Sequence, residues 1–158
     1  MTGVVRVGFI GAGKMAGALA RGFAKTLPTG SKTISASCPP GDACLLDEIR
    51  DMGCNTMHSN EDLVNTSDVI MLAVKPSIVP IVLKEVKHLV DPSKLVVSIA
   101  AGLKIQELEN VLNEKSKVLN SNKYDHLFFF IKYIKCIFPK SCKNEIASYL
   151  FSQTLSTS

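Results

Sequence analysis

Two kinds of apolar pattern alternate along this chain: short continuous runs rich in Val and Ile, and longer stretches in which apolar residues recur every three or four positions. The first run, residues 4–10, reads Val-Val-Arg-Val-Gly-Phe-Ile and predicts a strand. Residues 14–25 predict a helix with Ala16, Ala20 and Phe23 on one face, ended by Pro28 and Gly30 because neither propagates a helix. Residues 32–37 predict a second strand, closed by Pro39-Pro40-Gly41. A helix capped by Asp42 then runs to Met52 and stops at Gly53. Asn55, Thr56 and Met57 predict a brief third strand, and residues 60–64 a short helix capped by Asn60.

Residues 68–74, Asp-Val-Ile-Met-Leu-Ala-Val, are apolar on both faces, as in a parallel strand covered by helices. Lys75-Pro76 ends that run, and Ser77 opens a helix whose first turn tolerates Pro80 and whose buried stripe is Leu83, Val86, Leu89 and Val90. Residues 95–99 predict a fifth strand and Ala100-Ala101-Gly102 the next turn, before an amphipathic helix on Ile105, Leu108, Val111 and Leu112. Strands alternating with helices at this spacing predict an α/β fold with a doubly wound parallel sheet, not a barrel or a bundle. In such a sheet the ligand crevice lies at the carboxyl ends of the strands, so the turns after strands one, two, four and five converge on it.

The first of these turns carries the most chemistry. Gly11-x-Gly13-x-x-Ala16 directly follows a strand and opens a helix, the arrangement of a dinucleotide-binding turn. Gly11 permits the sharp turn, Gly13 lets backbone approach a pyrophosphate, and Ala16 lets helix and sheet pack closely. The phosphates would sit on the N–H groups at the positive end of the helix dipole. The end of the second strand, Ser35-Ala-Ser-Cys-Pro-Pro, has no Asp or Glu to bond a ribose 2′-hydroxyl and no nearby Arg for a 2′-phosphate. NADP and NAD both stay open, with NADPH slightly favoured because no carboxylate there repels a phosphate. Ser37 serves equally as a ribose contact or as a turn hydroxyl bonding its own backbone. Lys75, held by the following proline at the mouth of the crevice, suits a phosphate-bearing ligand. Asn60 suits the adenosine half, although a capping role alone would explain it.

Composition narrows the picture by exclusion. A chain of 158 residues suits one domain with a sizeable core, and 46% hydrophobic with 20% charged residues is ordinary for a globular protein. Residues 1–118 carry 13 basic and 12 acidic side chains and residues 119–158 five and two, too sparse a basic cluster for nucleic acid. The five cysteines are odd in number and form no Cys-x-x-Cys pair, which argues against a disulfide framework and a zinc site. The three histidines have no ligand spacing, so no metal is expected. The apolar start lacks a basic leader and a cleavage pattern, and no run approaches the roughly 20 apolar residues of a membrane span. A soluble, cytoplasmic protein is the expectation, a mitochondrial location staying open.

Taken in order, the stretch Val7-Gly-Phe-Ile-Gly-Ala-Gly-Lys-Met-Ala16, Ala36-Ser-Cys-Pro39, the strand leading into Ala73-Val-Lys-Pro76, and Val97-Ser-Ile-Ala-Ala-Gly102 closely resemble the N-terminal, Rossmann-type domain of pyrroline-5-carboxylate reductase. The resemblance implies reduction of 1-pyrroline-5-carboxylate to proline with NADPH or NADH. It also implies cofactor contacts from Ile10, Gly11, Ala12, Gly13, Lys14 and Met15; from Cys38, where the family often has serine; from Asn60; from Ala73, Val74, Lys75 and Pro76; and from Ala100, Ala101 and Gly102.

The resemblance runs from residue 4 to residue 118 and then stops. The family would continue into a strand, an Arg-x-Met-Pro-Asn-Thr-Pro-like turn and a C-terminal helical domain that supplies homo-oligomerisation and most of the substrate pocket. Residues 119–158 match none of it. Phe, Ile, Lys, Tyr and Asn, which have AT-rich codons, make up 20 of these 40 residues against 25 of the preceding 118. The expected organisation is a nucleotide-binding domain over 1–118, lacking the helical domain, and an atypical tail over 119–158 read as translated non-coding sequence; a genuine isoform is the alternative. No catalytic residue is expected within the chain, and the isolated chain is expected to bind cofactor with little or no turnover. A noncatalytic partner of a full-length reductase and the nucleotide domain of a related dehydrogenase are the alternatives.

Overall fold

The computed structural model describes residues 4–27, 29–100, 103–112 and 117–120. The expectations for Ala101, Gly102 and the tail from residue 121 lie outside the described residues. A six-stranded, wholly parallel sheet is ordered β3-β2-β1-β4-β5-β6. Its strands are β1 (Val7–Ile10), β2 (Ile34–Ser37), β3 (Asn55–Met57), β4 (Val69–Leu72), β5 (Leu95–Ser98) and β6 (Lys117–Asn120). The helices are α1 (Lys14–Thr26), α2 (Leu45–Asp51), α3 (Asn60–Thr66), α4 (Val79–Val86) and α5 (Ile105–Val111). This is the strand order of a doubly wound dinucleotide-binding fold, reversing direction at the β1/β4 boundary.

Side-chain alternation divides the core into two layers. Val7 and Phe9 of β1, Ile34 and Ala36 of β2, and Met71 and Val97 of β4 and β5 pack with Ala16, Ala20 and Phe23 of α1 and Leu46 and Ile49 of α2. Ile10, Ile70, Leu72 and Val96 point the other way, onto α3, α4 and α5 through Leu63, Leu83, Val86 and Leu108. The stripes expected on the first and fourth helices therefore face the sheet, as their spacing requires.

Several boundaries differ from expectation for local reasons. The second strand begins at Ile34 because Gly30–Thr33 close into a 3₁₀ turn, with Gly30 at φ +60°. Asp42 ends the 3₁₀ turn Pro40–Asp42, and α2 starts at Leu45 with Cys44 preceding it and no side-chain cap. Asn60 does not cap α3. Ser59 does, in extended backbone at φ −106° and ψ 123°, its Oγ accepting from the Asp62 N–H at 3.1 Å. α4 begins at Val79, two residues after the expected Ser77, with Pro80 still inside its first turn. The sheet continues across residue 118, since β6 pairs Val118 with Val96 and Asn120 with Ser98.

Two local features fix β1 against β4 and against α3. At the amino end Asp68 accepts from the Arg6 backbone N–H at 2.9 Å and from its guanidinium at 2.7 and 3.0 Å. That bonding holds the Asp68 carboxyl below the usual carboxylate range. Within β1, Gly8 lets α3 press onto the sheet, because a Cβ there would stand 2.2 Å from Ser67 Oγ and 2.9 Å from Leu63 Cδ2.

Candidate functional site at the carboxyl ends of the strands

Parallel register brings the expected turns together. Ile10 lies opposite Ser37 on one side and Leu72 on the other, and Leu72 opposite Ser98, so four strands end level with one another. Backbone bonds carry the alignment just beyond the strands: the Gly11 N–H donates to Ser37 O at 2.8 Å, and the Ala73 N–H to Ile10 O at 2.8 Å. Ile10 to Met15, Ser37, Cys38, Ala73 to Pro76 and Ala100 thus border one edge.

The two glycines of the first turn are required for different reasons. Gly11 has φ +103°, and a Cβ on it would lie 2.6 Å from the carbonyl oxygen of Ala73, so both conformation and packing demand glycine. Gly13 has φ −70° and ψ −176°, open to any residue, and among the described residues a Cβ on it would meet no atom within 4 Å. Neither backbone nor packing explains it. A ligand lying on the turn does, and the surroundings suit an anion: no side chain caps α1, no acidic residue occupies its first turn, and the exposed Lys14 and Met15 follow. The residues present therefore fit a dinucleotide pyrophosphate. Lys75 is likewise exposed at the end of β4, its carbonyl accepting from the Ile78 N–H at 2.9 Å.

At the end of β2 the side chains form a linked set. Ser37 Oγ, fully buried, donates to Asn60 Oδ1 at 2.8 Å instead of bonding its own turn. With Ser59 as the cap, the Asn60 amide is released from backbone duty, and its Nδ2 donates to Glu85 Oε2 of α4 at 3.1 Å. Cys38 is buried and its Sγ donates to Asp42 O at 3.2 Å. Burial, with Asp42 and Cys44 adding to it, pushes the Cys38 thiol above its usual range, so it remains a protonated donor. His58 Nδ1 lies 3.1 Å from Cys38 O. Sequence reasoning missed Glu85 and His58; each lies in a polar stretch with no recognisable ligand spacing, and only folding places them beside the end of β2.

Among the described residues no cluster of His, Cys, Asp or Glu could hold a metal ion, and no helix is long and apolar enough to cross a membrane. A second cleft, lined by Val4, Arg6, Lys32 and Asn55 among others, lies at the opposite, amino end of the strands.

Comparison with known proteins agrees with this geometry. Residues 6–102 match the family described as NADP oxidoreductase, coenzyme F420-dependent. Rat pyrroline-5-carboxylate reductase 2 is 46% identical over 106 residues, 67% of this chain and 33% of that protein. Rat pyrroline-5-carboxylate reductase 3 is 38% identical over 114 residues, 72% of this chain and 41% of that protein. The chain thus spans about two fifths or less of the length of these curated relatives. Among solved structures, the pyrroline-5-carboxylate reductase of Coxiella burnetii aligns with a TM-score of 0.69 at 26% identity, over 75% of this chain and 43% of that one. The NADP-bound pyrroline carboxylate reductase of Plasmodium falciparum shares the fold, with a TM-score of 0.56 at 21% identity, over 97% of this chain and 77% of that one. The dinucleotide-binding oxidoreductase fold, its glycine turn and the match over residues 6–102 place the chain in the NADP oxidoreductase, coenzyme F420-dependent family, where its curated relatives are pyrroline-5-carboxylate reductases.

Proposed function

We propose that this chain is the cofactor-binding part of a pyrroline-5-carboxylate reductase. A nicotinamide dinucleotide lies across the β1/β4 switch point, with its pyrophosphate on the turn from Gly11 to Met15. Ser37, Cys38 and Asn60 would hold its adenosine half, Ala73, Val74, Lys75, Pro76 and Ala100 would be further contacts, and the resemblance adds Ala101 and Gly102. The observation that carries the reading is Gly13, a glycine that neither its own backbone nor its neighbours require. The homology of 38 to 46% identity to pyrroline-5-carboxylate reductases supports the reaction. When bound, the reduced cofactor would supply the hydride that, together with a proton, converts the imine C=N bond of 1-pyrroline-5-carboxylate to the amine of proline. The protein's part is to hold it in register with the imine.

The resemblance assigns most of the substrate pocket and the oligomer contacts to a helical domain beyond the matched stretch. For the 158 residues by themselves we therefore expect cofactor binding with little or no turnover. The test pairs a titration with NADH and NADPH against an assay of proline formation from 1-pyrroline-5-carboxylate. Binding without turnover is the expected result, substantial turnover would overturn the assignment of the substrate pocket, and absence of binding would overturn the reading as a whole.

A further inference from the structure

The second strand ends without a carboxylate, which on sequence grounds leans the cofactor choice toward NADPH. The folded chain brings one there from elsewhere. Glu85 of α4 reaches Asn60, and Asn60 reaches Ser37, the last residue of β2. An ionised carboxylate only accepts hydrogen bonds, so the atom of Asn60 facing Glu85 must be the NH₂ group and the atom facing Ser37 must be the carbonyl oxygen. The Ser37 hydroxyl then spends its single hydrogen on Asn60 Oδ1. The Cys38 thiol spends its own on Asp42 O. The side-chain donors of Ser37 and Cys38 are committed within the protein, Asn60 keeps one amide hydrogen, and a negative charge stands one amide away.

These constraints favour one form of ribose over the other. A free 2′-hydroxyl is itself a donor and suits a site whose side chains have acceptor capacity to spare. A 2′-phosphate is acceptor-only and multiply charged; it needs donors and cations and is disfavoured beside a carboxylate. The other charged or titratable groups near this strand end are Asp42 and Cys44, which both act on the Cys38 thiol, His58, whose Nδ1 lies on the Cys38 carbonyl, and Glu61, which is paired with His88. Of the exposed lysines at the crevice, Lys14 follows β1 and Lys75 follows β4, and neither lies on β2 or on the turn after it.

Resting on the dinucleotide reading above, we infer that Glu85 acts through Asn60 as a positioning and specificity-determining residue that sets the chain's preference for NADH over NADPH. It performs from α4 the discrimination that an acidic residue at the end of β2 performs in NAD-binding folds of this type. Glu85 is exposed, so its replacement leaves the core untouched.

The test is a titration of the full 158-residue chain with NADH and with NADPH, following nicotinamide fluorescence, in the parent, Glu85→Gln and Glu85→Ala. The parent is expected to bind NADH more tightly. Both variants are expected to shift the NADPH-to-NADH affinity ratio toward NADPH by on the order of tenfold, the size of removing one like charge at this range in a solvated site. Raising the salt concentration is expected to narrow the parent's ratio and to change the variants' ratio less. A parent that prefers NADPH, or a ratio unchanged in both variants while binding persists, overturns the role of Glu85 and leaves the dinucleotide reading standing. Failure of the parent to bind either form overturns both.

Discussion

Replacing Gly13 with alanine separates what the first turn does for a ligand from what it does for the fold. At φ −70° and ψ −176° an alanine is unstrained, and its Cβ would meet no atom of the described residues within 4 Å. Alanine is a poorer helix N-cap than glycine, while restricting the unfolded chain returns about 0.4–1 kcal/mol. The two effects oppose each other, so the variant's stability is expected within about 0.5 kcal/mol of the parent. Binding is another matter. The methyl group projects about 1.5 Å from the backbone into the space where a pyrophosphate must approach the amide groups. Overpacking of this kind costs about 1–3 kcal/mol, or about fivefold to 150-fold in affinity. Urea denaturation measures the first quantity and NADH fluorescence titration the second. An alanine variant that keeps the parent's affinity would refute the placement of the pyrophosphate on this turn, and one that unfolds would refute the claim that Gly13 is structurally dispensable.

Gly11→Ala is expected to act through the fold, losing roughly 1–3 kcal/mol in a denaturant melt, because φ +103° and the Ala73 carbonyl at 2.6 Å both oppose a side chain. Gly8→Ala is expected to cost about 1–3 kcal/mol from the clash with Ser67 Oγ and Leu63. Since Ser67 Oγ is buried with no hydrogen-bond partner among the described residues, Ser67→Ala alone should cost little and should recover part of the loss in the double variant, as a double-mutant cycle would show. Asp68 should contribute to acid stability. Its hydrogen bond to Arg6 lowers its folded pKa, so the contribution is fully present above the unfolded value of about 3.9 and is lost as pH falls through the lower folded value. With side chains 52% and 39% exposed the pair is worth only about 0.2–1 kcal/mol, and Asp68→Asn should lower stability by that much at neutral pH and make no difference once the carboxylate is protonated.

The sheet was legible because its signals are local. Residues 69–74 are a continuous apolar run between Asp68 and Lys75-Pro76, and residues 95–99 are apolar but for Ser98 between Lys94 and the Ala-Ala-Gly turn; such runs have few folds other than a covered parallel strand. The glycine turn was legible for the same reason, since strand, turn and helix lie within one short stretch. The side chains around β2 were not. Ser59 and Asn60 are both good N-caps, and the sequence does not say which one leaves the helix geometry first; the extended backbone at Ser59 decides it and frees Asn60. Glu85 stands on the exposed face of an amphipathic helix, 25 residues from Asn60, where a solvated charge is the ordinary expectation. Its meaning comes from α4 packing beside α3, a tertiary fact. Helix starts shifted by two or three residues at Leu45 and Val79 because proline-containing turns precede both, and propensity alone does not register a 3₁₀ segment.

The central claim is that a dinucleotide occupies the carboxyl ends of β1, β2, β4 and β5. Mapping backbone amide chemical shifts of the isotope-labelled chain on addition of NADH tests it most directly. The account predicts that the largest changes fall on Gly11 to Met15, Ser37, Cys38, Ala73 to Lys75 and Ala100. Changes confined instead to the amino ends of the strands, around Arg6, Lys32 and Asn55, or no changes at all, would contradict it.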